Sequence, residues 1–374
     1  MFHISPILVS ILPLLVSIIL YPRAFMNKTM LWCCLYIFML CVYLIFSKPI
    51  TVGIGGMSDS RKLMTECAFL TPSLAIYSVL VYLNDVKLNK CIALSSITMI
   101  VLTCIYLVPL LMTNRTILRV DDARDNIALV IPGLPMYTLM HGYAMLLPVF
   151  LYNYRVSYRK IIPLVLLIVM CYLIYSSYVT TSLILSLISF LFAIIYQAKN
   201  KTTVFAILCL ICLTFGILSN MGVIDKFLDW LLIFYDGTFV AEKISDFKDS
   251  VAGNTITGSS ILVRMELHNI SLYSFFSNPI FGTGVVGEHS FFVDRLGGMG
   301  LVVFIPFMAM FVSILKKNYS RLIYRDAKAY YWITVLIIFV LLYNKGLFGM
   351  EGWLIMSVII PSCLITFERR NIKL

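Results

Sequence analysis

The chain contains a series of apolar runs that are each about as long as a bilayer is thick. About 20 apolar residues are needed to cross the hydrocarbon core, and a helix satisfies its own backbone hydrogen bonds there. The sequence predicts eleven such spans, at residues 6–21, 29–47, 63–83, 91–112, 127–152, 161–177, 181–198, 203–220, 296–315, 330–343 and 353–367. We therefore expect an all-α polytopic integral membrane protein with about 11 (10–12) transmembrane helices, in which residues 1–374 form a single membrane domain.

The composition excludes a soluble fold of this length. Of the 374 residues, 61% are hydrophobic and 13% are charged, whereas a soluble domain has about 25% charged residues. So few charges cannot cover a soluble surface of this size. The net charge of +11 would favour nucleic-acid binding in a soluble protein. In a membrane protein it has to be assigned loop by loop, because Lys and Arg concentrate on the cytoplasmic side.

The basic residues collect in alternate connections. One set of connections, together with the C-terminal tail, holds 17 Lys and Arg residues and three acidic residues. The opposite set holds 12 basic and 15 acidic residues. The charge pattern therefore predicts that the first set and the C-terminus are cytoplasmic and that, with eleven spans, the N-terminus is outside. Topology accounts for the positive charge, and we expect no nucleic-acid partner.

One connection is much longer than the others. Residues 221–294 form a 74-residue segment on the side predicted to be external. Loops of this length in compact proteins are usually functional or disordered, and the many aromatic residues here argue against disorder. Residues 224–234 predict a short amphipathic helix on the membrane surface, and residues 262–277 predict a second helix that Asn278-Pro279 stops. Between them, residues 250–260 are rich in Gly, Ser and Thr and indicate a flexible connection.

The second half of this connection carries most of the candidate chemistry. Arg264 and His268 are four residues apart on the predicted helix and share a face. Glu288 and His289 follow after the helix, and Arg295 lies where the next span begins. A guanidinium group presents a planar fork to phosphate oxygens, and an imidazole exchanges protons near neutral pH. These residue types at a membrane boundary suit a lipid pyrophosphate substrate.

Simpler interpretations of the same residues remain open. Arg264 and Arg295 can extend to lipid headgroups without binding a substrate. His268 can be an ordinary polar residue on a helix face. For His289, the residue type alone favours neither a functional nor a structural role.

A second external connection, residues 113–126, supplies further cations. Arg115, Arg119 and Arg124 lie there among three aspartates, against the tendency of basic residues to be cytoplasmic. They are candidates for binding a second pyrophosphate group. The alternative is a surface loop whose charges pair with one another.

The sequence offers no metal or cofactor site. The ten cysteines lie in or beside apolar runs and have no partners at metal-ligand spacing. An Asp-x-Asp motif of the kind that binds nucleotide sugars is also absent. We therefore expect no cofactor and a metal-independent reaction.

The order of residues from Arg264 to Gly300 resembles the signature of the O-antigen ligase-like superfamily. The matching text is Arg264, then Asn278-Pro279-Ile-Phe-Gly282-Thr-Gly284, His289-Ser290, Asp294 and Gly300. The plan of 10–12 spans with one large periplasmic loop in the C-terminal half is similar as well. Two departures stand against it: residues 176–182 carry hydroxyl groups but no Arg, and no external Arg is followed eleven residues later by Gly.

Within this superfamily the chain is most similar to the Wzy-type O-antigen polymerases, enzymes of lipopolysaccharide biosynthesis. The resemblance implies a glycosyltransferase of the bacterial inner membrane that acts on the periplasmic face. It would transfer a growing glycan from undecaprenyl pyrophosphate to a new lipid-linked oligosaccharide repeat unit. Its partners would be these lipid-linked oligosaccharides and the membrane lipids, together with a chain-length regulator and a flippase.

The resemblance also implies residue roles. Arg264, helped by Arg119 or Arg124, would stabilise the departing pyrophosphate, and His289 would activate or orient the acceptor hydroxyl. Three alternatives stay open: an O-antigen ligase that joins glycan to lipid A–core, a flippase or other transporter of lipid-linked oligosaccharide, and a non-enzymatic assembly protein.

Overall fold

The structure, a computed structural model, describes most of the predicted spans. The described residues are 6–46, 51–52, 59–113, 136–158, 160–177, 179–197, 222–236, 260–287, 289–344 and 349–370, with isolated positions between 202 and 248. Within these ranges the chain is helical apart from short connections and one pair of two-residue strands.

The helices form one series in chain order. They are α1 (Pro6–Leu20), α2 (Lys28–Phe46), α3 (Asp59–Leu83), α4 (Val86–Thr113), α5 (Met136–Val156), α6 (Ile161–Ser176), α7 (Thr180–Gln197), α8 (Val223–Phe234), α9 (Ser260–Ser277), α10 (Phe291–Arg321), α11 (Arg325–Tyr343), α12 (Met350–Leu354) and α13 (Ile360–Arg370). A 3-10 turn, Pro22–Phe25, precedes α2, and a π-helical turn, Ile355–Ile359, joins α12 to α13. Strands β1 (Thr51–Val52) and β2 (Val285–Val286) pair in parallel.

The all-α membrane class is confirmed by these helices. Ten of the eleven predicted runs coincide with described helices, and the remaining run, 203–220, lies almost wholly outside the described residues. Seven helical segments are long and apolar enough to cross a membrane: six single helices and the continuous segment from α12 to α13. Two shorter apolar helices accompany them. A total of eleven spans therefore stays a prediction.

The long connection contains the two helices that its sequence predicts. Helix α8 covers the expected 224–234 and α9 covers the expected 262–277, each within two residues of the prediction. Helix α10 begins at Phe291, before the predicted span at 296, because Ser290 caps it. The Ser290 Oγ accepts from the Val293 N–H at 3.4 Å, and Asp294 Oδ2 accepts from the Ser290 N–H at 2.9 Å.

Helix ends that the charge pattern assigns to one side meet in the structure. Arg155 at the end of α5 pairs with Asp326 at the start of α11, with 3.1 Å between Nη2 and Oδ2. Arg321 at the end of α10 donates to Asn89 Oδ1 near the start of α4 at 3.0 Å. We call this region, around Arg155 and Arg321, the basic end. The opposite region, around the start of α10, is the far end.

Helix α5 lies inside the bundle, in contact with α6, α7, α11 and α13. All of its residues from 140 to 150 are buried. Because protein surrounds it, α5 tolerates polar groups that a lipid-facing helix would not. The Nδ1 atom of its His141 lies 2.7 Å from the Oγ atom of Ser182 on α7.

Helix α10 is broken at Gly300, whose φ of 66° and ψ of −174° interrupt the helical hydrogen bonds. The chain just after α9 supplies the missing partners. The Leu301 N–H donates to the Pro279 carbonyl at 2.9 Å, and the Val302 N–H donates to the Ile280 carbonyl at 3.1 Å. The break is therefore paired and not exposed to hydrocarbon.

The same two segments also bond in the opposite direction. The Thr283 N–H donates to the Gly297 carbonyl at 3.2 Å, and the Gly284 N–H donates to the Gly298 carbonyl at 3.1 Å. Tyr43 on α2 adds a hydroxyl bond of 2.6 Å to the Gly298 carbonyl. We call residues 278–284 and 297–302 together the backbone clamp.

The clamp requires glycine because its backbones nearly touch. Gly282 and Gly300 both have positive φ, and a Cβ atom at Gly300 would lie 2.3 Å from the Ile280 carbonyl oxygen. A Cβ atom at Gly297 would lie 2.2 Å from the carbonyl oxygen of Ser271 on α9. Any larger residue would push the two segments apart.

Gly300→Ala should therefore destabilise the protein far more than Gly222→Ala. Both glycines have positive φ, but a Cβ atom at Gly222 meets nothing within 4 Å. Alanine at Gly222 would adopt the left-handed helical conformation, which costs roughly 1–2 kcal/mol. The φ and ψ of Gly300 lie in a region that essentially only glycine occupies, and the clash there adds about 1–3 kcal/mol. Thermal unfolding of the two variants in the same detergent measures the difference. Equal melting temperatures would show that the clamp is not needed for stability.

Candidate functional site

Helix α9 is fixed to the start of α10 at the far end by two serines. The Ser271 hydroxyl donates to Asp294 Oδ1 at 2.5 Å and accepts from the Gly287 N–H at 2.9 Å. One turn further along α9, the Ser274 hydroxyl donates to the Gly297 carbonyl at 2.8 Å. These bonds attach α9 to the start of α10, to Gly287 and, through Gly297, to the backbone clamp.

Asp294 is the centre of the polar groups here. One carboxylate oxygen accepts from Ser271 and the other accepts from the Ser290 N–H, so its orientation is fixed. The imidazoles of His268 and His289 both lie close enough to interact electrostatically with this carboxylate. The structure thus gathers two of the predicted site residues around an aspartate.

Arg264, His268 and Ser271 form a polar stripe along one face of α9, at the spacing of successive helical turns. His268 is held edge-on against the ring of Tyr343, with 5.0 Å between the ring centroids. Arg264 lies one turn earlier and is half-buried. It forms no hydrogen bond or ion pair with the residues that the structure describes.

Arg295 makes a different set of contacts from the polar stripe. Its Nη2 donates to Glu66 Oε1 at 2.6 Å, and the hydroxyl of Tyr36 donates to Glu66 Oε2 at 3.2 Å. The guanidinium lies over the rings of Phe291 and Phe307, 4.1 and 4.9 Å from their centroids. Both charged side chains are nearly buried, 11% and 13% exposed. This ion pair joins α10 to α2 and α3.

Four predicted site residues lie outside the described residues: Arg115, Arg119, Arg124 and Glu288. Their proposed part in substrate binding stays a prediction.

Several residues of the site are not among those singled out from the sequence. A signal existed for Glu66, because an ionisable residue inside an apolar run usually has a specific partner or function. Ser271 falls one turn beyond His268 on the predicted helix, so the helical spacing could also have found it. For Tyr343, at the end of α11, nothing in the local sequence points to His268.

The buried Glu66–Arg295 pair predicts a non-additive double-mutant cycle. Either Glu66→Leu or Arg295→Met leaves one buried charge unpaired, which typically costs about 3–5 kcal/mol. The double variant removes both charges, so its loss of unfolding free energy should be smaller than the sum of the single losses. Unfolding of all four proteins in mixed micelles measures this coupling.

The matched control for this cycle is the Arg155–Asp326 pair, whose side chains are 37% and 39% exposed. Its coupling should stay below about 1 kcal/mol. Additive losses at Glu66 and Arg295 would contradict a stabilising role for the buried pair.

Comparisons of the chain with protein-family models, with curated proteins and with solved structures found no match.

Proposed function

We propose that this protein is a glycan polymerase of the O-antigen polymerase type in the bacterial inner membrane. It would transfer a growing glycan from undecaprenyl pyrophosphate to a new lipid-linked oligosaccharide repeat unit on the periplasmic face. The observation that carries the proposal is the group around Asp294, whose carboxylate interacts electrostatically with His268 and His289, with Arg264 one turn from His268 on the polar stripe. This group lies at the end of the bundle opposite the basic end.

The chemistry of these residues fits transfer from a pyrophosphate donor. The acceptor hydroxyl oxygen attacks the anomeric carbon, and the bond from that carbon to the pyrophosphate oxygen breaks. His289 takes the hydroxyl proton, and the bonding electrons leave with the pyrophosphate. Arg264 stabilises the charge that develops on this leaving group. His268 packs against the ring of Tyr343 and interacts electrostatically with Asp294, and it binds the substrate together with His289 and Arg264.

Helix α8 suits a substrate that is partly embedded in lipid. Phe227, Trp230 and Phe234 are exposed on one of its faces and stack on one another, with centroids 6.0 and 5.8 Å apart. Aromatic rings of this kind settle at the boundary between headgroups and acyl chains. A helix lying in that plane is positioned to meet lipid-linked glycans, and a flippase and a chain-length regulator would act on the same substrates.

Deletion of the gene in its source strain distinguishes the polymerase from the alternatives on a lipopolysaccharide gel. Loss of a polymerase should leave core that carries a single repeat unit, because ligation of unpolymerised units continues. Loss of a ligase or a flippase should leave bare core instead. Long-chain ladders that persist after deletion would rule out the polymerase.

Point variants in the complemented deletion strain test the site. His289→Ala and Arg264→Ala should each reduce polymerisation by about 100-fold or more, because each removes a group that acts in the transition state. Arg155→Ala at the basic end is the control and should restore the full ladder. Immunoblots of membranes confirm equal protein levels. Full ladders from both site variants would refute the assignment of the site. The polymerase function itself would then still be tested by the gene deletion.

A further inference from the structure

Two cavities adjoin one another at the basic end. Their volumes are about 330 and 570 Å³, and Val81, Lys317 and Ser320 line both of them. The basic residues that line one or both are Lys28, Lys316, Lys317, Arg321 and Arg369. No acidic residue is among the described residues that line them. We call this pair of cavities the basic groove.

Arg321 lines the smaller cavity of the groove and has unused hydrogen-bonding capacity. Its Nη2 donates to Asn89 Oδ1 at 3.0 Å, while Nε and Nη1 are buried without a hydrogen-bond partner among the described residues. The Nε atom of Arg369 is likewise buried without a hydrogen-bond partner among the described residues. Buried donors without acceptors cost free energy, more so when they carry charge. The negative charge of an anionic ligand in the groove would offset part of that cost.

The acidic residues nearby do not fill this role. The Glu368 carboxylate accepts backbone N–H groups from Ile323 and Tyr324 at 3.1 and 3.2 Å, and its charge acts on Arg369. Asp326 pairs with Arg155. The preference of Lys and Arg for the cytoplasmic side explains solvated cations. It does not explain a guanidinium with two buried nitrogen atoms, Nε and Nη1, that have no hydrogen-bond partner among the described residues.

We propose that the basic groove binds the phosphate group of an anionic phospholipid. Guanidinium and ammonium groups recognise phosphate, and basic pockets between membrane helices bind lipid headgroups. The larger cavity adds Trp32, Ala309 and Val312 beside the cations, which suits the apolar part of a lipid. The site is separate from the proposed catalytic group, because Arg295 and Arg321 lie near opposite ends of α10 and the helix after the break at Gly300 alone extends roughly 30 Å at 1.5 Å per residue.

The proposal can be tested on the purified full-length protein in detergent. Phosphatidylglycerol at a saturating concentration should raise the melting temperature by roughly 5 °C. Phosphatidylcholine and inorganic phosphate, each at the same phosphate concentration, should raise it much less. An equal rise with phosphatidylcholine would overturn the preference for an anionic headgroup. An equal rise with inorganic phosphate would identify a free-phosphate site and overturn the assignment to a lipid.

Charge-neutralising variants locate the effect. Arg321→Gln and Lys317→Gln should each lose most of the shift caused by phosphatidylglycerol. Lys328→Gln is the matched control, because Lys328 is at the same end but lies over the ring of Tyr319 and outside the groove. It should keep the full shift. If Arg321→Gln does not fold, Lys317→Gln alone tests the proposal. A phosphatidylglycerol-induced shift in Lys317→Gln as large as that in Lys328→Gln would overturn the proposal.

Discussion

Backbone N–H and C=O groups cannot be left unpaired in hydrocarbon. The break in α10 leaves such groups without partners inside the helix, so they need partners from elsewhere in the chain. The break at Gly300 interrupts the hydrogen bonds within the helix. The carbonyl groups of Pro279 and Ile280, in the segment after α9, accept the N–H groups that the break leaves without helical partners. That exchange decides where α9 lies, since Ser271 and Ser274 are bonded to the same region. The positions of His268 and of the polar stripe follow from the position of α9. The candidate site therefore depends on the backbone clamp before it depends on any catalytic side chain.

The two ends of α10 differ in how their buried arginine is paired. At the far end Arg295 is matched by Glu66, with Tyr36 and two aromatic rings around them. At the basic end Arg321 has an amide partner and no carboxylate partner among the described residues. A buried cation with its own counter-ion stabilises the packing of the helices. A buried cation without a counter-ion can still attract an anionic ligand. The first arrangement joins helices, and the second suits a binding site.

The sequence was sufficient for what depends on short stretches of chain. Spans such as α4 and α10 follow from local hydropathy, and α8 and α9 follow from local periodicity and from the stop at Asn278-Pro279. The burial of α5 could not be read in the same way, because lipid and protein interior are both apolar and favour the same residues. The partners of Arg295 could not be read either, since Glu66 is 229 positions away. The stop at Asn278-Pro279 predicted the end of α9, but not that the segment after it would bond to α10.

Helix α9 is anchored unevenly along its length. Its second half is bonded at Ser271 and Ser274, and the Leu267 carbonyl lies so close to Gly287 that a Cβ there would be 2.1 Å away. Arg264 lies beyond the last of these attachments. These attachments all lie at or after Leu267 in the chain. A change in the backbone clamp would therefore act on His268 directly, and on Arg264 only through the turn of helix that separates the two side chains.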